Sequence, residues 1–307
     1  MIIPVADRIK LVRPQAKSIF PYSNSLFIDD DIKTMIDVGA GGNAYAEIET
    51  GGIHRLIFSH IHFDHIHGVG HFKHAKMIAG GEEAQAYQSR ESYDAFAGNS
   101  LWNELMNVPR DDRLFQAVAS REDVNMPDFG DYNITGHLWE GRVIDCGHVQ
   151  LKALHLPGHS PGHYGFYIEK DGILFSSDLD LAGNGPWYGA PYCNVGQLLD
   201  SIGRLIDLKP AVLLTSHRRI FRQNEDNIPL LFTRYRDIVL KRGDRVLSYV
   251  NQPRGLDDMV KLEVERLSLP DVPLIVFWNK VMFLKHLDNL TSQGMVREVE
   301  EGVWYKI

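Results

Sequence analysis

The chain has 307 residues, 44% of them hydrophobic, and a formal net charge of −8. That suits one large globular domain or a large domain with a small one, and it argues against a general polyanion binder. Its two cysteines, Cys146 and Cys193, have no paired spacing, so neither a disulfide scaffold nor a thiolate metal site is expected. The opening MIIPVADRIK lacks the basic-then-apolar pattern of a secretion signal, and no apolar run approaches the ~18 residues that cross a bilayer. The expectation is a soluble, cytoplasmic protein without a membrane partner.

Along the chain, the first eighty residues read as strands and turns. Leu26 to Ile28 and Thr34 to Val38 flank the acidic turn Asp29-Asp30-Asp31, a hairpin pattern. The second run ends in DVGAGG, a turn. Arg55 to Phe58 reads as a buried strand that leads straight into SHIHFDHIHG. From about Glu82 to Glu122 the spacing becomes helical, with Leu101, Trp102, Leu105 and Met106, then Leu114, Phe115 and Val118. Strands return at Arg142 to Ile144, Val149 to Leu156, Tyr164 to Glu169 and in GILFSSD. Leu198 to Leu208 reads as a helix, and AVLLTSH as a last strand ending in a histidine. Past Arg222, Ile228 to Leu240 and Val276 to Leu290 look helical, and VREVEEGVWYKI alternates like a strand pair. This divides the chain into a catalytic domain, 1–224, with a helical insert at about 82–130, and a small winged-helix-like domain, 225–307.

The fourteen histidines matter less for their number than for their placement. In an extended loop His60 and His62 point to the same side, and Asp64 and His65 add an oxygen and a nitrogen donor from the next turn. Neutral imidazole and carboxylate suit a borderline ion such as zinc. Three imidazoles and a carboxylate within six residues would repel one another when protonated, and a bound cation relieves that crowding. One loop cannot complete two metal shells. The remaining donors are expected from strand ends: His159 in the tight LPGHSPGH turn, Asp178 after Ile173-Leu174-Phe175, and His217 after Ala211 to Leu214. Read singly, a histidine or aspartate after a strand is usually a turn or cap residue. That reading accounts for His71, His74, His137, His148 and His155, and leaves His67 and His163 as neighbours of the site. Asp37 admits two roles, capping its turn or supporting a ligand histidine through a hydrogen bond.

Taken in order, Asp37 in IDVG, HIHFDH, His159 in PGHSPGH, Asp178 and His217 resemble the motifs of the metallo-beta-lactamase fold superfamily, over roughly residues 15 to 222. The resemblance implies an α/β fold, a four-layer αββα sandwich of two mixed sheets flanked by helices. It implies two metal ions, zinc first, with iron or manganese as alternatives. His60, His62 and His159 would hold one ion, Asp64, His65 and His217 the other, and Asp178 would bridge them. Asp64 would also orient the attacking water, and Asp37 would support catalysis. The implied function is a hydrolase that uses a metal-bridging hydroxide to cleave an ester-type bond, a thioester or lactone, in a small-molecule substrate. The C-terminal part is similar to the small domain of the glyoxalase II-like and β-lactamase-like 2 branch.

The same site type serves other chemistry. A phosphodiesterase or ribonuclease would need cations near the metals, for which Arg218, Arg219 and Arg222 are the candidates, and a solvated helix face is their commoner role. Iron-dependent redox enzymes share the fold. The flavodiiron pattern has glutamate where this chain has His62, whereas persulfide dioxygenases keep these ligand types. Over 225–307, twelve Lys and Arg stand against thirteen Asp and Glu, no footprint for nucleic acid, so packing, homo-oligomer formation or closing one edge of the site is expected there. Asn184-Gly185-Pro186-Trp187-Tyr188-Gly189, just past Asp178, either lines the pocket or packs.

Overall fold

The computed structural model describes residues 1–126, 128–267 and 272–307, with the side chains of Asp112, Leu114, Phe115 and Val118 outside the description. Seven strands pair in chain order to make the first sheet: β1 (Ile2–Ala6), β2 (Ile9–Val12), β3 (Ser25–Ile28), β4 (Thr34–Ile36), β5 (Arg55–Ile57), β6 (Lys76–Gly80) and β7 (Ile134–Leu138). The pairs up to β3–β4 are antiparallel, and from β4 onward they are parallel. Parallel neighbours need crossovers. These carry α1 (Gly42–Tyr45), α2 (Phe63–Ile66) and the insert helices α3 (Arg90–Phe96), α4 (Leu101–Leu105) and α5 (Asp112–Ala119).

The second sheet has β8 (Val143–Asp145), β9 (Gln150–His155), β10 (Tyr164–Ile168), β11 (Ile173–Phe175), β12 (Val212–Leu214) and β13 (Phe221–Arg222), again paired in chain order. Only β11–β12 is parallel in this sheet, with α6 (Val195–Leu208) in its crossover. The period-two alternation of strands sorts the core into layers. Leu26, Ile28, Ile36, Ile57 and Ile78 meet Phe166, Ile168, Ile173, Phe175 and Leu214 between the sheets. Phe27, Met35, Leu56 and Met77 face the helices outside the first sheet. Leu174 and Leu213 face α6 and α7 (Ile228–Tyr249) outside the second. Helix, sheet, sheet, helix is the expected four-layer order.

Beyond β13, α7 begins on the outer core of the second sheet through Ile228, Phe232, Tyr235 and Val239, and ends, at Val246, in a separate small core. That core is completed by α8 (Leu256–Leu267), α9 (Pro273–Ser292) and a three-stranded sheet of β14 (Arg254–Gly255), β15 (Val296–Glu300) and β16 (Val303–Lys306), ordered β14-β16-β15. The insert docks here too: Trp102 of α4 packs on Phe277 and Val281 of α9, and Lys280 donates to the carbonyl of Leu105. Strands β1, β2, β7, β13 and β14 and helices α1, α2 and α8 were not individually anticipated from the sequence, and β6 was covered only by the strand-and-turn character of the first eighty residues. β7 has only two apolar residues, Ile134 and Leu138, and α8 carries the acidic start Leu256-Asp257-Asp258 that reads equally as a turn. No helix among the described residues is long and apolar enough to cross a membrane.

Candidate metal centre

The C-terminal ends of β4 and β5, parallel neighbours in one sheet, and of β11 and β12, parallel neighbours in the other, meet along one edge of the sandwich. Asp37 follows β4, His60 follows β5, Asp178 follows β11 and His217 follows β12. His62 caps α2, which itself carries Asp64 and His65, and His159 lies in the loop from β9 to β10. Backbone bonds tie the sheets together at this edge, from Tyr164 N to Ser59 O at 2.9 Å and from Asn24 N to Ser216 O at 2.7 Å.

Two local features bring the donors inward. Asp37 adopts a left-handed backbone, φ 57, and Ser177 does the same, φ 50, conformations uncommon outside glycine that turn the chain sharply at the strand end. The DVGAGG turn then lies flat on α2. A Cβ on Gly39 would stand 1.6 Å from the carbonyl oxygen of Asp64, so only a residue without a side chain permits this approach. Gly158 plays the same part for the His159 loop, since a Cβ there would stand 2.2 Å from Leu198 N.

The seven expected donors converge in two groups. Donor atoms of His60, His62, His159 and Asp178 lie within 4.8 Å of one another, as do those of Asp64, His65 and His217. Asp178 faces both groups. Its Oδ2 is 3.3 Å from His159 Nε2 and 3.8 Å from His60 Nε2, while its Oδ1 is 3.0 Å from His65 Nε2 and 3.3 Å from His217 Nε2. Asp64 Oδ2 is 3.4 Å from His217 Nε2. His60 and His65 are fully buried, whereas Asp64, Asp178 and His217 keep 9%, 12% and 14% of their side chains exposed, so the group opens to solvent along that side.

The outer hydrogen bonds decide which nitrogens face inward as bare lone pairs. A neutral imidazole has one N–H. His65 donates from Nδ1 to Asp37 Oδ2 at 2.8 Å, and His159 donates from Nδ1 to the carbonyl of Trp187 at 2.8 Å. Ser59 Oγ donates to Asp37 Oδ2 at 2.7 Å, so it accepts from His60 Nδ1 at 3.0 Å. His60, His65 and His159 therefore all turn an unprotonated Nε2 to the centre. With its proton on Nε2, 2.6 Å from Tyr192 Oη, His62 turns Nδ1 inward as well.

The inward lone pairs crowd. His62 Nδ1 is 2.9 Å from both His60 Nε2 and His159 Nε2, and the buried His65 Nε2 and Asp178 Oδ1 have no hydrogen-bond partner. A bound cation relieves this crowding, and the donor set of imidazoles and carboxylates fits a metal ion. Proton affinities show the same field. Burial and neighbouring imidazoles hold His60 and His62 well below the usual histidine range. Burial also opposes a charge on His65 and His217, yet Asp178 and Asp64 outweigh it, lifting His65 well above that range and His217 to about 9.

Of the residues outside this set, His163 donates to the carbonyl of Leu156 at 3.0 Å and accepts from Asp178 N at 3.2 Å, so it fixes the backbone that carries the shared carboxylate. His67 bonds the carbonyl of Gly39. His71, His74, His137 and His148 are exposed and His155 is half-buried, away from the centre. Trp187 and Tyr188 part company: the Trp187 ring stands edge-on 5.3 Å from His62, whereas Tyr188 is fully buried in the outer core. Ser59, Ser177, Tyr192 and the Trp187 carbonyl went unrecognised in the sequence, because a serine beside the motif or a tyrosine 130 residues from His62 gives no local signal. Arg219 is paired with Asp226 at 2.6 Å and stacked on Phe221, and Arg218 faces Asp180 at 3.8 Å.

A sequence model of the Metallo-beta-lactamase superfamily matches residues 19–217. The acyl-coenzyme A thioesterase MBLAC2 of Gallus gallus is 31% identical over 156 residues, 50% of this chain and 50% of its own, so the chain spans about half the length of that relative. The probable metallo-hydrolase YybB of Bacillus subtilis is 33% identical over 155 residues, 47% of this chain and 68% of its own. Among solved structures, the metallo-beta-lactamase family protein TTHA1429 of Thermus thermophilus superposes with a TM-score of 0.76 over 99% of this chain and 100% of that one, at 20% identity.

Proposed function

The chain belongs to the metallo-beta-lactamase superfamily of hydrolases, and from that premise we propose that it is a binuclear metal-dependent hydrolase acting on an ester-type bond of a small molecule, a thioester or a lactone. The observation that carries the reading is the placement of Asp178, whose two oxygens face two separate donor groups. A structural zinc site is closed and has four ligands. Six donors around one shared carboxylate, open on one side, fit a pair of ions with a face left for substrate.

His60, His62, His159 and Asp178 would hold one ion, and Asp64, His65, His217 and the other oxygen of Asp178 the second. Zinc suits the donors best, and iron or manganese would also be accepted. Such ions supply Lewis acidity and bring the pKa of water down to about 7. The chain's own residues do the rest. Asp37, Ser59 and the Trp187 carbonyl hold the proton of each neutral ring on Nδ1, so that Nε2 is the nitrogen turned inward. The carboxylates of Asp64 and Asp178, at the open side, accept hydrogen bonds from a water there and set its direction. The Trp187 ring and Tyr192 flank His62, which stays half-buried, and a substrate carbonyl would enter at the solvent-facing side formed by His62, Asp178 and His217.

A thioester is favoured over other esters because a relative sharing about half its length with this chain is named as an acyl-coenzyme A thioesterase. The phosphodiester reading is weaker, since Arg219 is already engaged by Asp226 and Arg218 faces Asp180. The test is metal content of protein purified without chelator, followed by a panel of thioesters, lactones and phosphodiesters. About two zinc per chain with thioester or lactone turnover supports the proposal. One iron per chain, with oxygen consumption on persulfides, replaces it by redox chemistry.

A further inference from the structure

Two donors of the first group, His159 and His62, take their outer hydrogen bonds from one stretch of chain. His159 donates to the carbonyl of Trp187 at 2.8 Å, and His62 Nε2 meets Tyr192 Oη at 2.6 Å. Between Asn184 and Cys193 this stretch forms no helix or strand. Its backbone groups therefore need partners from elsewhere to hold one shape.

Those partners come from helices beyond β13. Arg242 of α7 donates to the carbonyls of Asn184 and Pro186 and, at 3.2 Å, to Tyr188 Oη. Because Tyr188 accepts there, its own proton goes to Nε2 of the buried His286 on α9, 2.8 Å away. Burial pushes His286 down to about 3, which leaves its ring neutral and able to accept. Trp278 of α9 then stands against the Trp187 ring at 6.0 Å, nearly perpendicular to it. The bond to Asn184 is exposed, those to Pro186 and Tyr188 are half-buried and the one to His286 is buried, and together they bracket Trp187 along the chain.

We propose that Arg242, Tyr188 and His286 are positioning residues for the first metal subsite: they hold the Asn184–Cys193 stretch so that the Trp187 carbonyl and Tyr192 Oη aim the inward nitrogens of His159 and His62. None of the three touches the metal donors. Their effect passes through the acceptors that fix tautomer and ring direction, the route by which outer partners tune affinity at a metal site. This rests on the metal-centre reading above. It assigns the α7–α9 region a role in the chemistry that its near-neutral charge balance does not suggest.

The test uses the full chain, stripped of metal by a chelator and titrated with cobalt(II), with the visible absorption spectrum and a competing chromophoric chelator as readouts. The wild-type chain is read first. Fewer than two equivalents there overturns the binuclear centre itself, whatever the variants do. With two equivalents in place, Tyr188→Phe, which removes one hydroxyl, and His286→Leu are expected to weaken one equivalent by roughly ten- to a hundredfold. They should alter its cobalt spectrum and leave the affinity and spectrum of the other equivalent near wild type. His286→Gln, whose amide oxygen accepts from Tyr188, restores the affinity. Wild-type affinities and spectra in both Tyr188→Phe and His286→Leu overturn the proposal, as does an equal loss of both equivalents.

Discussion

Oδ2 of Asp37 accepts a hydrogen bond from Nδ1 of His65 at 2.8 Å, with both side chains wholly out of solvent. The same carboxylate takes Ser59 N and Ser59 Oγ at 2.7 Å each, and Ser59 in turn accepts from His60. One buried residue thus sets the proton positions of a histidine in each donor group. Asp37→Asn places an amide where the carboxylate accepted these bonds. The expected result is a ten- to hundredfold loss of metal affinity or turnover, the range for an outer partner of a ligand histidine, measured by chelator competition. Unchanged affinity would refute the supporting role.

Asp178→Ala removes the side chain whose two oxygens face the two donor groups. Turnover is expected to vanish and both metal equivalents to loosen, whereas His217→Ala should loosen one. His137→Ala changes neither, because that residue is exposed and remote. Metal content after dialysis, with steady-state kinetics, separates the three variants. Full activity in Asp178→Ala would remove the shared-ligand assignment.

Gly39→Ala tests the turn that carries Asp37 to α2. The added methyl would lie 1.6 Å from Asp64 O and 2.3 Å from Ser23 Oγ, so backbone must move. A loss of about 3 kcal/mol is expected, the upper part of the usual range for overpacking, and metal affinity should fall with it because Asp64 and His65 are displaced. Gly183→Ala, with nothing within 4 Å of its Cβ, is the neutral comparison. Chemical denaturation of the metal-free chain reads both.

Glu83 is buried under the His159 loop, where its Oε1 accepts from Gly162 N at 3.0 Å, and burial raises its carboxyl from 4.5 to about 7. A folded-state value above the unfolded one means that the native state binds the proton more tightly. The stabilisation from Glu83 is therefore complete below pH 4.5 and is lost as pH rises through about 7. Glu83→Gln should be the more stable chain above neutrality, by up to about 3 kcal/mol, and the difference should shrink toward acid. Denaturation of both chains across pH 4 to 8 reads the difference directly, and the titrations they share cancel. A constant difference across this range would contradict the assignment.

The strand pattern up to the HIHFDH loop, the helical character of the insert and the two-sheet architecture were legible because period-two and helical spacing reflect burial on one face of an element. Strand β6 escaped notice as a separate element because four of its five residues are buried and it lacks polar alternation, and β7 because only Ile134 and Leu138 of ITGHL are apolar. The side chains of Leu114, Phe115 and Val118, whose spacing suggested the last insert helix, lie outside the described residues, although the backbone of α5 runs through them.

For the centre, the sequence by itself determined which residue types were available and that four of them crowd into six positions, since electrostatic repulsion between neighbours in sequence needs no fold to be recognised. It also placed His159, Asp178 and His217 at strand ends. Only the tertiary structure decided that these ends share one edge and that Asp178 divides its oxygens between two groups. It also decided that Asp37, Ser59 and the Trp187 carbonyl choose the tautomers. The tautomer-setting bonds of His65 and His159, for example, each join residues 28 positions apart through hydrogen bonds of fixed length and direction. A local pattern carries no information about a contact whose geometry is set by the packing of two sheets and the helices around them.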